Sequence, residues 1–334
     1  MSTFSEIGRI EAIRQLFEGT PYTPFETAQF LPEDRPGVAN SLRGGIVTTA
    51  SRFFQEGLDF NLVYFPLKHL GYKCVVAVTG ELYAELSRPQ TLSIVLGVSA
   101  KLDFPQIQEL WAGVVSAAKE HGYEKIALDL VPCNNGLSLS LSATGVTSKL
   151  TGSRRPESKS KDLVCVSGSL GAAYLGMQLL ERNRVKFEAG QEDKTELNRF
   201  KMIVGAYLKP ELGAGVIDQF EEAGIIPSTG CFISRGLSDA VKTIARKTGL
   251  GVKIYADKIP FEGGTFDLGR LLNLDPISAA TNGGDDYKLL FTVPIMRLEQ
   301  FRKDFQSFDI IGHLAQADAG EVMVTPDGVE LTLA

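Results

Sequence analysis

Histidine is scarce in this chain of 334 residues: only His69, His121 and His313 occur, each isolated from the others. That spacing offers no histidine-based metal site and no nucleophile–histidine–acid relay. The four cysteines, Cys74, Cys133, Cys165 and Cys231, lie far apart with no Cys-x-x-Cys pair. Cys74 and Cys165 sit in apolar runs, where cysteine serves as a small buried hydrophobe, and a reducing cytoplasm is the expected compartment. A basic excess is also missing. The net charge is -6, and no Lys/Arg stripe is interleaved with aromatics, so a nucleic-acid partner is not expected. The densest basic patch, 154–161, reads as a solvated loop. No apolar run is long enough to cross a bilayer, and the first residues lack the basic start and apolar core of a secretory signal. Internal repeats and low-complexity tracts are absent too.

What remains is a globular composition, with 44% hydrophobic and 22% charged residues, and a length that suits two domains. Residues 6–18 have the spacing of a short amphipathic helix, and 20–45 read as loop. The apolar run 73–78 reads as a buried strand, and 91–98 as a second strand. Residues 104–121 carry helical spacing, with Ile107, Leu110, Trp111, Val114, Val115 and Ala118 on one side and Gly122 as the stop. A strand is expected at 125–131 and a turn at Asn134-Asn135-Gly136. Beyond it Leu137, Leu139, Leu141 and Ala143 alternate with hydroxyl residues, the period of a strand with one buried face. The polar, basic stretch 147–160 reads as a linker. A strand at 162–167 then leads through Ser167-Gly168-Ser169-Leu170-Gly171 into a helix over 172–183. Residues 188–197 read as an exposed loop, 213–224 and 237–249 as helices closed by Gly224 and Gly249, and 252–255 and 289–293 as strands.

The densest chemistry lies at Gly283-Gly284-Asp285-Asp286-Tyr287, which runs straight into an apolar strand. Glycine lets backbone amides approach a ligand, and the acids can hold a polar or cationic partner. A turn with solvated acids is the competing reading. Ser167-Gly168-Ser169-Leu170-Gly171, taken alone, is more often a packing turn than a phosphate cradle.

Together with Glu56-Gly57-Leu58-Asp59-Phe60, Leu67-Lys68-His69-Leu70-Gly71-Tyr72-Lys73, 155–162, Leu208-Lys209-Pro210-Glu211 and Ile233-Ser234-Arg235-Gly236-Leu237-Ser238, these landmarks resemble the thiamine-monophosphate kinase family. That family belongs to the aminoimidazole ribonucleotide synthetase superfamily. The resemblance covers nearly the whole chain. It implies a two-domain α+β fold: a ferredoxin-like β-α-β domain at 1–148 on the nucleotide and metal side, whose sheet dimerises, and an α/β domain at 149–334. The implied reaction transfers the terminal phosphoryl of ATP to thiamine phosphate, with Mg²⁺ held by carboxylates.

The family's aspartate motifs are altered here. Glu33 and Asp34 stand where an early Gly-Asp-Asp is expected. Thr48-Thr49-Ala50 replaces a motif ending in aspartate. Glu81 replaces the aspartate of Asn-Leu-Ser-Asp. Asp129 survives from a Gly-Gly-Asp-Thr-Thr motif whose other members have become apolar. Phe232 and Arg235 replace both aspartates of Asp-Ile-Ser-Asp-Gly-Leu. Arg235 in a metal pocket repels Mg²⁺ but can contact a phosphate directly; pairing with Asp239, four residues on, is the structural alternative.

The resemblance therefore implies nucleotide or phosphate contacts at Thr48, Thr49, Arg155, Ser234 and Arg235. It implies substrate contacts at Gly283, Gly284, Asp285, Asp286 and Tyr287, with Glu81 and Asp129 as remnant metal ligands. Glu81 as a helix-start charge and Asp129 as an ordinary strand residue are the bland readings. The expected protein is a cytoplasmic homodimer, kinase-like but catalytically impaired, with a cleft for a phosphorylated ligand and doubtful metal binding. Two alternatives stand beside it. One is an active kinase with its metal site rebuilt on Glu81, Asp129, Asp285 and Asp286; the other is a superfamily enzyme acting on another phosphorylated small molecule. No residue is assigned a catalytic role.

Overall fold

The computed structural model describes residues 7–24, 45–134, 136–191 and 195–333. The chain divides into two compact units. One comprises Met1–Leu82 and Leu86–Gly152, the other Tyr83–Glu85 and Ser153–Ala334.

In the first unit, α1 (Arg9–Phe17) precedes β1 (Ile46–Gln55), α2 (Leu67–Ala84), β2 (Arg88–Val98), α3 (Phe104–Glu120), β3 (Lys125–Pro132), β4 (Leu137–Thr147) and α4 (Lys149–Arg154). The sheet order is β1-β4-β2-β3, with β2 and β3 parallel and the other pairs antiparallel. The leucine alternation of β4 is realised: Leu137, Leu139 and Leu141 are buried beside Leu92, Ile94 and Leu96 of β2. The opposite face is open and rich in hydroxyls. Its rows are Thr49–Thr144–Thr91, Ser51–Ser142–Ser93 and Phe53–Ser140–Val95.

The strand expected at 73–78 is instead the middle of α2, a helix of 18 residues. Residues 74–78 are all buried. A helix buried all round shows no amphipathic stripe, so its apolar run imitates a core strand. Two glycines permit that burial. A β-carbon on Gly113 of α3 would lie 1.8 Å from the Lys68 carbonyl, and one on Gly71 would lie 2.1 Å from the Leu110 carbonyl. Helix α3 begins with a capping box, in which Asp103 and Gln106 satisfy each other's amides. The linker expected at 147–160 contains the division between the units, at Gly152 and Ser153, but is not loop throughout. Its first residue ends β4 and its middle forms α4, where the Ser148 hydroxyl accepts the Thr151 amide in the manner of a cap.

The second unit contains β5 (Leu163–Val166), α5 (Ala172–Glu188), α6 (Thr195–Arg199), α7 (Lys201–Leu208), α8 (Val216–Ala223), β6 (Thr229–Ile233), α9 (Leu237–Thr248), β7 (Gly251–Tyr255), α10 (Thr265–Leu272), α11 (Pro276–Asn282), β8 (Lys288–Val293), α12 (Leu298–Asp304), β9 (Asp309–Ala315), β10 (Glu321–Val324) and β11 (Glu330–Thr332). Its seven-stranded sheet has the order β11-β10-β7-β9-β5-β8-β6. Val164, Ile233, Val241, Ile244, Ile254 and Leu314 share one core. A separate aromatic cluster joins Phe220, Phe291, Phe301, Phe305 and Phe308, with the Phe220 and Phe305 rings stacked 4.5 Å apart. Gly224 and Gly249 end α8 and α9 in the left-handed conformation, as their positions predicted. The loop expected at 188–197 is shortened, because α5 runs to Glu188 and α6 begins at Thr195. Among the described residues no helix is long and apolar enough to cross a membrane.

Candidate anion site in the second unit

The Gly283–Tyr287 segment leaves the end of α11 and enters β8 through three left-handed residues: Gly284 (φ 83°), Asp285 (φ 62°) and Tyr287 (φ 51°). Two of these are not glycine, so the surrounding structure must hold them there. It does so through backbone bonds to the end of β6. The Asp285 amide donates to the Ser234 carbonyl at 3.0 Å, and the Tyr287 amide donates to the Ile233 carbonyl at 3.0 Å. Gly284 lies so close that an added β-carbon would be 3.1 Å from the Ser234 carbonyl and 3.5 Å from the Arg235 Cα. The glycine-rich loop and the Ser234–Arg235 turn, 50 residues apart in sequence, are thus one structure.

Asp286 is not a solvated acid. It is buried, and its carboxylate accepts the Gly171 amide at 2.8 Å and the Ala173 amide at 3.2 Å. Both amides belong to the start of α5, which has no cap of its own. Asp286 therefore fills the anion-accepting end of that helix with the protein's own charge. This disposes of a phosphate cradle at Ser167–Gly171: the packing turn is what the fold builds, and Ser167 Oγ accepts the Leu289 amide. Burial pushes the Asp286 carboxyl up to about 7; the Gly171 and Ala173 amides and Lys288 oppose the shift, and Asp285 adds to it. Lys288, the next charged residue, is drawn below its ordinary value by burial, against the pull of Asp286, Glu211 and Glu262. Its ammonium donates to the Glu211 carbonyl at 3.2 Å, and its stem lies over Gly168.

Arg235 is exposed, and among the described residues no hydrogen bond or ion pair occupies its guanidinium. The pairing with Asp239 does not form. Arg235 stands immediately before α9, whose N-cap is Gly236 (φ 99°) with no side-chain cap. Ser234 is buried beside it.

Arg155 is placed differently. Its Nη1 donates to Glu85 Oε2 at 2.8 Å, Nη2 to the Ala84 carbonyl at 3.3 Å and Nε to the Pro227 carbonyl at 3.4 Å. Lys247 meets the other Glu85 oxygen at 2.6 Å and the Gly230 carbonyl at 2.8 Å. Arg155 is committed to the protein's own scaffold. Neither Glu85 nor Lys247 carries a sequence signal, since the three come together from positions 85, 155 and 247.

In the first unit the remaining candidates are dispersed. Thr48 and Thr49 point to opposite faces of β1, as successive strand residues must. Thr48 joins an internal hydroxyl chain with Ser87 and Thr147, each contact 2.6 Å. Thr49 lies on the open face at one sheet edge. Asp129, paired with Val95, lies on that face at the other edge, three strand spacings across and four residues further along, about 20 Å away. Asp129 Oδ1 accepts the Leu130 amide. Glu81 sits in the last turn of α2, so it is not a helix-start charge. Glu33 and Asp34 fall outside the described residues. Among the described residues no three His, Cys, Asp or Glu side chains gather where they could hold a metal ion.

Comparison with known proteins agrees with the motif reading. No family model matches the chain. It is 23% identical over 302 residues to the thiamine-monophosphate kinase of Aquifex aeolicus (strain VF5), covering 90% of this chain and 90% of that relative. Its fold matches AaThiL complexed with AMPPCP and TMP at a TM-score of 0.69 and 22% identity, covering 85% of this chain and 84% of the other. It also matches the hydrogenase maturation protein HypE in complex with ATP at a TM-score of 0.62 and 19% identity, covering 87% and 85%. Nucleotide binding is thus a property of these relatives, while the structural matches speak for the fold. The chain is similar to the thiamine-monophosphate kinases along most of its length, and its fold, the aminoimidazole ribonucleotide synthetase-like one, matches both AaThiL and HypE.

Proposed function

We propose that this protein is a thiamine-monophosphate kinase-like binder of a phosphorylated ligand or nucleotide, with weak or absent phosphoryl transfer. The observation that carries the reading is Arg235: an exposed cation without a partner among the described residues, at an uncapped helix start, backed by the Gly283–Tyr287 loop. Phosphate oxygens suit both groups, since a guanidinium binds them through paired donors and helix-start amides add further ones. The lost acids support the other half of the reading. Ala50, Phe232 and Arg235 stand where the family places carboxylates, and Mg²⁺ in such reactions supplies the charge neutralisation. For a metal site rebuilt on Glu81, Asp129, Asp285 and Asp286, the last of these is already engaged, since both Asp286 oxygens accept backbone amides. The open hydroxyl-rich sheet face, with Phe53 56% and Val95 41% exposed, fits the homodimer implied by the family.

Calorimetric titration of ATP and of inorganic phosphate into wild type and Arg235→Ala tests the binding. Loss of about 1–2 kcal/mol, or 5- to 30-fold in affinity, is expected for one exposed charged contact; equal affinities sink the reading. A coupled assay with ATP, Mg²⁺ and thiamine phosphate tests the catalysis, and turnover of about 1 per second or faster refutes impairment.

A further inference from the structure

Within the first unit, the end of α1 and one side of α3 enclose a groove of about 440 Å³. Its apolar lining is Leu16, Trp111 and Val115, all buried; the exposed Glu18, Gln108 and Lys119 complete it. Trp111 carries the signal. It is 3% exposed, its ring lies 5.1 Å from that of Phe17, and its Nε1 has no hydrogen-bond partner among the described residues. A buried indole N–H usually reaches an acceptor, because an unmet donor costs its full desolvation. The polar groups that α1 brings to the groove are turned to α1 itself: the Gln15 amide donates to Glu11, and the Thr20 hydroxyl donates to the Phe17 carbonyl. Lys119, two turns along α3 from Trp111, makes no hydrogen bond or ion pair among the described residues. The groove thus combines an apolar wall, an unmet neutral donor and an uncommitted cation.

We propose that this groove is a second ligand site, for a small organic monocarboxylate with an apolar body. The carboxylate accepts from the Trp111 indole N–H and from the Lys119 ammonium, while the apolar body lies on Leu16 and Val115. Nε1 is covered by its neighbours, so the contact forms with a change of side-chain rotamer, as is common on binding. Glu18 sets the charge of the ligand: it opposes a second negative charge in the groove, which separates this site from one for phosphate or nucleotide. The volume lies within the range of small-molecule sites. The inference does not rest on the anion reading of Arg235, which belongs to the other unit.

Trp111 is the single tryptophan, so the full chain labelled with ¹⁵N gives one indole N–H resonance, and that resonance reads the proposed contact directly. The probes are phenylacetate and phenylacetamide, which share a body and an acceptor and differ in charge. In wild type, phenylacetate is expected to move the indole proton downfield and to saturate with a Kd of about 1 mM, as a ligand of this size allows. Phenylacetamide should bind about 3-fold more weakly, the difference due to one exposed cation. Lys119→Ala should remove that preference. Ala112→Phe enlarges an exposed side chain in the groove lining and should abolish both responses. An indole resonance that does not move by about 20 mM phenylacetate, well past that Kd, overturns the site. An equal response in Ala112→Phe overturns it as well, since the probe then binds elsewhere. A preference for phenylacetate that survives Lys119→Ala overturns the assignment of a carboxylate ligand.

Discussion

Arg155 is where a ligand contact implied by the family and a scaffold role are most cleanly separated. Its partner Glu85 is 34% exposed and receives Arg155 on one oxygen and Lys247 on the other. Arg155 itself is 25% exposed. A buried hydrogen bond to a charged group contributes about 1.5–3 kcal/mol, and a fully exposed ion pair about 0–1. At this partial exposure the Arg155–Glu85 pair contributes about 1.5 kcal/mol, and the two long bonds to Ala84 and Pro227 add about 0.5 more. Arg155→Ala should therefore destabilise the second unit by about 2 kcal/mol. Glu85→Gln should cost a similar amount, because it leaves two cations facing an amide. The double variant should show a coupling of about 1 kcal/mol, since the shared contact can be lost only once.

The pH dependence has a definite sign. Burial works against the Glu85 charge, but the hydrogen bonds and charges of Lys247 and Arg155 outweigh it and hold the carboxyl below its ordinary 4.5. Its contribution is present above pH 4.5 and is lost as pH falls through the depressed value. Urea unfolding followed by circular dichroism at pH 7 and pH 4 reads both effects, and Glu85→Gln should remove part of the acid limb. The reasoning fails if Arg155→Ala changes stability by less than about 0.5 kcal/mol while phosphate affinity falls about 10-fold. That outcome would place the guanidinium on a ligand.

Two further outcomes test the first unit. Gly113→Ala puts a methyl group where only 1.8 Å separates it from the Lys68 carbonyl, so α2 and α3 must part; a loss of at least about 2 kcal/mol is expected, and fluorescence of Trp111, the single tryptophan, reads it directly. An unchanged midpoint would mean the helices yield freely. Phe53→Asp places a charge in the Phe53–Ser140–Val95 row of the open sheet face and should convert a dimer to a monomer in light scattering at micromolar concentration; a dimer that persists unchanged puts the interface elsewhere.

Much of this architecture was readable one residue at a time. The leucine period of β4 and the glycine stops of α8 and α9 depend on neighbours in sequence, and sequence shows them. Helix α2 was not readable, because full burial erases the stripe that distinguishes a helix from a strand. The site divides in the same way. Gly284 and Arg235 were marked by motif, yet their contact is a tertiary fact. The role of Asp286 was hidden for the same reason: Gly171 and Ala173, whose amides it accepts, lie 115 and 113 residues away. Chemistry near the motif suggested a ligand for that acid, whereas the helix start claimed it. Arg155 was claimed likewise by Glu85, a residue with no motif at all.

On the proposed reading, a cation in place of the family's acids bears on rate as well as affinity. A metal ion held by carboxylates can tighten on the oxygens that gain charge as a phosphoryl group transfers, and that difference between ground and transition state is what accelerates the step. A single exposed guanidinium at a flexible arm's length grips a resting phosphate about as well as a transferring one. Uniform binding of that kind raises affinity without raising turnover. Restoring the acid with Arg235→Asp should therefore lower phosphate affinity in the absence of Mg²⁺ without restoring the reaction, since Ala50 and Phe232 still lack their carboxylates. Kinase turnover regained by that single change would show that the remaining acids suffice for metal binding, and the whole account of an impaired site would fall with it.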